Sequence, residues 1–405
     1  MKKVLSFLLV VLLSFSIFAA AKTWKIGVLG PYQTENGMWV QQAVQMAADE
    51  INADGGILGR KIELVFQDTE GSTQKMQTAI IKLTTKDKVD FIIGGVGSGP
   101  VLANLDIMAR QKIIWLGTGA ASPDVTKKVA ENYSKYKYYF RVGTLDSIAQ
   151  GKSVGDFIAN YLVPKYNVKK AAIISVDLVY AKEIAETAAE IAKQAGVEIV
   201  YTDYFPAGTA DFSASFKKAT EAGAQVIIDA IVTADGIQFT KQWYDLKVNA
   251  ALVGAIAAAL KPEFKDQTNG KCVYETSAYP NGGPAPLTTK TLDFFEKHEN
   301  LYGVAPGFIS FPAYNTLYVL KEALENAKNP DNDEDVIKAL EKVVFPLGGD
   351  KGVAPVKFTE NHDLVYGGDG ASGIIFQWSK SGSWNAVWPY EYKTGEWEKP
   401  EWINW

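Results

Sequence analysis

The sequence predicts an α/β protein with two doubly wound, parallel-sheet lobes, and three observations support this fold class. Apolar strand patterns alternate with amphipathic helix patterns from Trp24 to Leu116, and the same alternation restarts after Arg141. Strands that alternate with helices pair in parallel, because each crossover helix returns the chain to the same end of the sheet. The chain of 405 residues also exceeds the length that one ordinary hydrophobic core supports.

Each of the two series covers about half of the alternating region. The first predicts strands at 24–29, 62–67, 89–94 and 113–116, and helices at about 37–53, 73–86 and 100–110. The second predicts helices at 148–161, 180–194, 212–222 and 236–246, and strands at 171–176, 198–203, 226–231 and 251–253. We expect each series to form one sheet with helices on both faces.

The last third of the chain follows a different pattern. It predicts helices at about 288–302, 311–328 and 335–343, and then a hairpin of 374–378 with 384–388 around Lys380–Gly382. Six of the ten tryptophans lie from Trp378 onward. We therefore expect the C-terminal tail to pack as an ordered cap.

The first 21 residues have the pattern of a secretory signal peptide. Lys2 and Lys3 precede the apolar run Val4–Phe18, and Ala19–Ala21 supply the small residues that a signal peptidase accepts. The run is short for the ~20 residues of a membrane span, which favours cleavage over a retained anchor. We expect cleavage after Ala21 and a periplasmic mature protein.

Charge and cysteine content limit the possible partners and the compartment. Removing Lys2 and Lys3 from the 41 basic side chains leaves 39 against 46 acidic ones, a net charge of −7. Such a balance does not favour nucleic acid or an anionic membrane as partner. Cys272 is the only cysteine in the sequence, so the fold cannot depend on an internal disulfide.

Catalytic and cofactor motifs are missing from the sequence. The two histidines, His298 and His362, have polar or charged neighbours, and we expect both on the surface. Val96 breaks a G-x-S-x-G motif around Ser98, and Pro100 replaces the third glycine of a dinucleotide fingerprint that begins at Gly95. No cluster of His or Cys has metal-ligand spacing. The sequence thus predicts a protein that is not an enzyme and has no cofactor or metal.

Several segments, in this order and spacing, carry a family resemblance: Ala47–Lys61, Asp68-Thr69, Gly94–Ser98, Gly119–Thr126, Asp177 with Tyr180, and Ala207–Ser213. Together they resemble the periplasmic leucine/isoleucine/valine-type substrate-binding proteins of ABC transporters. The resemblance extends from Trp24 to about Gly373. It implies the type I periplasmic binding fold, a small-molecule ligand between two closing lobes, permease subunits as partners and a monomer.

In this family three chain segments form the hinge between the lobes. The resemblance places these crossings near 142–146, 274–279 and 349–356. Lobe one would then contain 22–141 plus 278–348, and lobe two would contain 143–275 plus 357–405. Ligands of open α/β sheets bind beyond the carboxyl ends of the strands, which agrees with a cleft between two facing sheets.

Two strand-to-helix turns of lobe one are candidates for the ligand head group. Ser98 precedes a helix whose N-terminal N–H groups suit a carboxylate, and the resemblance gives this position a ligand contact. The alternative is a helix-capping serine. In the turn Gly119–Ser122, the resemblance assigns a ligand-facing backbone oxygen to Ala120. Ala121 lacks the hydroxyl that the family places there, and Ser122 either substitutes for it or only caps the next helix.

Other candidate ligand residues follow from the resemblance. Tyr180 opens a helix of lobe two and would lay its ring against the ligand, although ordinary packing is the alternative. Ile256 stands where branched-chain amino-acid binders have the acid that pairs with the ligand ammonium. The family's two cleft aromatics fall at Val232 and Asn36. These differences leave an ammonium without its usual partner.

A buried ammonium without a counter-charge costs several kcal/mol. Asp229, at a strand end, and Asp235, at a helix start, are candidate replacements, with a solvated strand end and an N-cap as the alternatives. One hypothesis is therefore an amino-acid binder with a rearranged ammonium site. The other is a binder of an amide, a carboxylate or an apolar molecule without a free ammonium. A ligand sensor of the same fold is a third alternative.

Overall fold

The computed structural model describes residues 22–405, so the predicted signal peptide, 1–21, lies outside the described residues. The first lobe begins with strands β1 (Trp24–Gly30), β2 (Ile62–Asp68), β3 (Phe91–Val96), β4 (Trp115–Gly119) and β5 (Tyr139–Arg141). Its helices are α1 (Glu35–Ala53), α2 (Thr73–Lys82), α3 (Ser98–Gln111), α4 (Asp124–Glu131) and α5 (Tyr133–Tyr136). We call the sheet of these strands and the elements packed on it lobe one.

The lobe-one sheet is parallel throughout and has the order β2-β1-β3-β4-β5. Its central strand β3 is an almost uninterrupted apolar run whose first five residues are buried, because helices cover both faces of a parallel sheet. Helix α1 begins at the N-cap Thr34, whose side chain accepts a hydrogen bond from the backbone N–H of Gly37. The cap fixes the first turn of α1 beside the carboxyl end of β1.

A second sheet follows from residue 147, and we call it, with the elements packed on it, lobe two. Its helices are α6 (Ser147–Phe157), α7 (Val163–Tyr166), α8 (Val179–Gln194), α9 (Ser213–Glu221), α10 (Asp235–Asp245) and α11 (Phe264–Gln267), with a π-helical segment, Ile158–Leu162, between α6 and α7. Its strands are β6 (Lys170–Val176), β7 (Glu198–Phe205), β8 (Val226–Ile231), β9 (Ala251–Ile256) and β10 (Thr276–Pro280).

The last third of the chain completes both lobes. It contains α12 (Thr291–Tyr302), α13 (Ser310–Asn326), α14 (Asp333–Leu340), β11 (Val344–Phe345), β12 (Val356–Lys357), β13 (Gly373–Trp378) and β14 (Trp384–Trp388). The predicted hairpin is confirmed: β13 and β14 pair antiparallel, and β13 also pairs antiparallel with β10. The lobe-two sheet therefore has seven strands in the order β14-β13-β10-β9-β8-β6-β7.

The segment before β13 packs on lobe one, which corrects the sequence prediction that 357–405 belongs to lobe two. The buried Arg141 forms an ion pair with Asp363 over 2.8 Å. The ring of His362 stacks on Phe140 of β5 with 3.8 Å between ring centroids. Leu364 and Ala371 belong to the lobe-one core. The last passage between lobes therefore occurs at β13 and not near 349–356.

Both histidines are buried, so the prediction that they lie on the surface is wrong. The Nδ1 atom of His298 lies 3.1 Å from the carbonyl oxygen of Val304, and the ring contacts Phe294. The Nε2 atom of His362 lies 3.1 Å from Oε1 of Glu341. Burial lowers the pKa of both imidazoles, which keeps them neutral. They are structural residues.

The C-terminal tail packs on lobe two as an ordered cap. Trp397 and Ile403 are buried in its core. The indole N–H of Trp397 donates to Oγ1 of Thr276 in β10 over 3.1 Å, and that of Trp402 donates to the carbonyl of Val248 over 2.9 Å. In residues 22–405, no helix is both long and apolar enough to cross a bilayer.

Candidate ligand-binding cleft

A cavity of about 570 Å³ lies between the two lobes, a volume in the range of small-molecule sites. We call it the cleft. Lobe one and the chain crossing at β10 line it with Thr34, Glu35, Asn36, Phe308, Ala278 and Pro280. Lobe two lines it with Gln150, Tyr180, Ile184, Val232, Thr233, Ala234, Ile237, Ala255, Ala257, Ala258, Leu260, Lys261 and Gln267. Most of these side chains are apolar.

The carboxyl ends of several strands supply the cleft residues. The loop 232–234 follows β8, the segment 257–261 follows β9, and Pro280 ends β10. On the opposite side, Glu35 and Asn36 form the first turn of α1, shortly after β1. The cleft thus lies beyond the carboxyl ends of the strands, where ligands of open parallel sheets bind.

Three of the candidate ligand residues, Tyr180, Val232 and Asn36, line the cleft. The hydroxyl of Tyr180 donates to Oε1 of Gln150 over 2.8 Å. The amide of Gln150 in turn donates to the carbonyl of Leu145 over 2.7 Å. Burial raises the pKa of the Tyr180 phenol, although the bond to Gln150 opposes this, so the hydroxyl keeps its proton.

The two predicted head-group turns, at Ser98 and at Gly119–Ser122, lie beside each other. None of their candidate ligand residues lines the cleft. Oγ of Ser98 accepts a hydrogen bond from the backbone N–H of Ser122 over 3.0 Å. The carbonyl of Ala120 accepts from the guanidinium of Arg141, which occupies one of its two acceptor positions. The carbonyl of Ala121 accepts from the N–H of Ser147, the first residue of α6. Helix α6 then reaches the cleft at Gln150.

Arg141 organises this cluster and is not among the residues that the sequence predicts for the site. Besides Ala120, its guanidinium donates to the carbonyl of Ser122 over 2.7 Å, and it is fully buried beside Asp363. A buried guanidinium with several carbonyl and carboxylate partners fixes the backbone of the turn that it holds. The available signal was a lone arginine after a short aromatic run, Tyr138–Phe140.

Asp229 and Ile256 lie behind the cleft, which corrects their prediction as ligand residues. Asp229 is fully buried within β8, and a Cβ added at Gly254 of β9 would lie 2.5 Å from its Oδ1. Burial raises the pKa of Asp229 well above its ordinary value, and it does the same for the buried Glu275. A Cβ added at Gly236 would lie 2.5 Å from Cγ2 of Ile256, so that side chain packs against the start of α10.

Asp235 accepts hydrogen bonds from protein groups, but the alternative that it caps α10 is wrong, because Ala234 is the N-cap residue and no side chain caps this helix. Both carboxylate oxygens accept from the backbone N–H of Gly208 at 3.1 Å. The hydroxyl of Thr233 donates to Oδ2 over 2.6 Å. Asp235 does not line the cleft, although Thr233 and Ala234 do.

One acid and one base line the cleft among residues 22–405, and they are paired with each other. The ammonium of Lys261, from lobe two, contacts Oε2 of Glu35, from lobe one. Their side chains are 31% and 43% exposed, so the pair lies at the rim. Neither residue was singled out from the sequence. A lysine after an apolar run and a glutamate in the first turn of a helix are both common in proteins, so neither indicates a site.

A cavity between the facing ends of two α/β sheets defines a two-lobe ligand-binding protein. The chain belongs to the periplasmic binding protein family, whose model matches residues 23–380. It is 26% identical over 347 residues to the Leu/Ile/Val-binding protein BraC3 of Rhizobium johnstonii, which covers 84% of this chain and 88% of that protein.

Solved structures share the fold. The branched-chain amino acid transporter substrate-binding protein LivJ of Streptococcus pneumoniae, in complex with isoleucine, has a TM-score of 0.70 and 24% identity, and the alignment covers 90% of this chain and 98% of that one. A solute-binding protein of an ABC transporter from Rhodopseudomonas palustris, in complex with 3,4-dihydroxybenzoic acid, has a TM-score of 0.69 and 18% identity, with 88% and 93% covered.

Proposed function

We propose that this chain is the extracytoplasmic solute-binding component of an ABC importer and that it binds a branched-chain amino acid or a related compound. The observation that carries the proposal is the mainly apolar cleft of about 570 Å³ between the two lobes, in a chain of the periplasmic binding protein family. The Rhizobium relative and the isoleucine complex support the choice of ligand class. The proposed partners are permease subunits, to which a monomer without cofactor or catalytic activity delivers its ligand in the periplasm.

The proposed mechanism is a clamp whose two lobes close around the ligand. Apolar residues of lobe two, such as Val232 and Ile237, would contact an aliphatic side chain beside the ring of Tyr180. Ser98 does not line the cleft, so it would contact a ligand only after the lobes close. Its hydroxyl accepts from Ser122 and keeps its own proton available for a ligand carboxylate. A ligand shifts such an equilibrium only by its additional affinity for the closed form.

Calorimetric titration of the mature protein with leucine, isoleucine and valine tests the ligand class. We expect heat of binding from at least one of the three, and weaker binding by a Ser98→Ala variant that stays folded, although its melting temperature should fall slightly because the N–H of Ser122 loses its acceptor. No heat from any of the three contradicts the branched-chain assignment. Unchanged affinity in the variant contradicts the role of Ser98.

A ligand without an ammonium is the second candidate. It is favoured by the position of Ile256 behind the cleft and by the pairing of Glu35 with Lys261, which together leave no unpaired acid on the cleft wall among residues 22–405. The Rhodopseudomonas structure, which holds a benzoic acid derivative, shows that this fold accommodates such a compound. Titration with 3,4-dihydroxybenzoate and 4-methylpentanoate separates the candidates, since binding of these acids but of no amino acid supports the second.

A further inference from the structure

Among the described residues, one acid lines the cleft, but it is not at position 256, where the resemblance places the acid that pairs with a ligand ammonium. Glu35 is the first residue of α1 and the only carboxylate on the cleft wall within residues 22–405. A negative charge at a helix N-terminus is favourable in itself, so Glu35 needs no ligand to explain its presence there. Its position on the wall of the cleft, however, gives its carboxylate access to whatever the lobes enclose.

The other acids near the cleft either accept hydrogen bonds from protein groups or are buried away from it. Asp229 is enclosed in the sheet of lobe two, and Asp235 accepts hydrogen bonds from Gly208, in the loop after β7, and from Thr233. Asp146 caps α6 by accepting from the N–H of Ala149 over 2.7 Å. An ammonium inside the cleft therefore has one carboxylate to reach, and that carboxylate belongs to Glu35.

The present partner of Glu35 is a side chain that is able to leave. Lys261 ends the short segment after β9 and reaches across the rim, with its ammonium 5.5 Å from the ring centroid of Trp39. Its side chain is 31% exposed, and a four-carbon stem lets the ammonium return to water without moving the backbone. Exchange of one ammonium for another keeps Glu35 paired, so no buried charge is left alone.

We propose that Glu35 binds the ammonium of a zwitterionic ligand, an amino acid, and that Lys261 occupies its carboxylate only while the cleft lacks that ligand. This inference rests on the proposed function and specifies the ligand class of the same site. It also accounts for the apolar segment around Ile256, because a second acid on lobe two is then unnecessary. The competing explanation is that the Glu35–Lys261 pair only holds the lobes together.

Two matched variants and two probes distinguish these explanations. The variants are Glu35→Gln, which keeps the shape of the side chain, and Lys261→Met, which keeps the apolar stem. The probes are leucine and 4-methylpentanoate, the same acid without the amine. We expect Glu35→Gln to weaken leucine binding about tenfold or more, the value of a hydrogen bond to a charged group, and to leave 4-methylpentanoate unaffected. Lys261→Met should bind leucine as tightly as the unchanged protein or more tightly.

Equal weakening of both probes by both variants overturns the inference, because an interlobe latch acts on every ligand alike. Titration of the unchanged protein with all twenty amino acids separates failure of this inference from failure of the proposed ligand. If another amino acid binds in place of leucine, the branched-chain assignment fails, and loss of its binding in Glu35→Gln still supports the inference. If 4-methylpentanoate binds but no amino acid does, the inference is overturned while solute binding stands.

Discussion

The hydroxyl of Tyr180 and the amide oxygen of Gln150 are joined by a hydrogen bond of 2.8 Å, which connects α8 to α6 at one wall of the cleft. Both residues line the cleft, and the other end of the Gln150 amide is bonded to the backbone at Leu145. The bond therefore fixes the orientation of an aromatic ring that a ligand would contact, at the point where the chain enters lobe two.

Removing this hydroxyl should cost stability more than it alters the cleft. In Tyr180→Phe, Oε1 of Gln150 stays buried without a donor, which costs about 1–3 kcal/mol. Urea denaturation should show this loss, whereas Tyr204→Phe, which removes a more exposed bond to Glu186, should cost less than about 1 kcal/mol. Equal losses in the two variants would mean that the Gln150 bond has no special weight. Tyr180→Ala should additionally weaken leucine binding, roughly tenfold, since the ring is lost.

Replacement of Arg141 by lysine should loosen the turn that contains Ala120 and Ser122. A lysine keeps the charge beside Asp363 but lacks the planar fork whose separate nitrogens reach the two carbonyls, so at least one buried acceptor loses its donor. We expect Arg141→Lys to lower the free energy of unfolding by about 2–4 kcal/mol. The control Arg110→Lys, at an exposed position of α3, should stay within about 0.5 kcal/mol. A loss of control size in Arg141→Lys would refute the structural role.

The buried acids of lobe two predict an unusual dependence of stability on pH. Burial raises the folded-state pKa of Asp229 and of Glu275, so the folded protein holds protons that the unfolded chain releases. The stabilisation that comes from these two protonated carboxyls is therefore complete below about pH 4, the ordinary pKa range of carboxyls. It is lost as the pH rises toward their raised folded-state pKa values. Stability at neutral pH is correspondingly reduced.

An asparagine at position 229 cannot ionise and should remove part of this loss. We expect the free energy of unfolding of Asp229→Asn, relative to the unchanged protein, to rise by about 1–3 kcal/mol between pH 5 and pH 8. Urea denaturation at a series of pH values measures this difference. A difference that is constant over the range would show that Asp229 is ionised in the folded protein.

The C-terminal cap should be essential to the stability of lobe two. Trp397 is 3% exposed and bonded to Thr276 of β10, so Trp397→Ala removes a large buried ring at a cost of about 3–5 kcal/mol. Trp397→Phe should cost less, because most of the packing remains. Thermal unfolding measures both. Trp405→Ala, at the partly exposed end of the tail, is the control, and equal melting temperatures for Trp397→Ala and Trp405→Ala would exclude a structural role for the buried ring.

The alternation of strands and helices was predictable because buried parallel strands are short apolar runs, bounded by turn residues such as glycine and proline. Strand β5 was missed, since its three residues are too few to show a period. The long segment between β12 and β13 contains little regular structure, so periodicity could not show that it packs on lobe one. The passage between lobes was consequently placed too early.

The errors at individual residues have a common geometric cause. His298 was judged by its charged sequence neighbours, but Phe294, four residues earlier on α12, shares its helix face and is buried. Ile256 follows the predicted strand 251–253, but β9 extends through Ile256. Neighbouring residues of a strand point to opposite sides, and Ala255 lines the cleft instead. Glu35 and Lys261 could not be paired from sequence because the contact joins two lobes.

The order of the seven strands in lobe two has a consequence for synthesis. Strands β13 and β14, from the last part of the chain, pair beside β10, while segments 279–287 and 353–371 complete the core of lobe one. A ribosome delivers the chain from the N-terminus onward at a limited rate. Neither lobe has all of its core until the C-terminal fifth of the chain has been synthesised. Both cores therefore stay incomplete until late in synthesis, and truncation of this last segment destabilises both lobes.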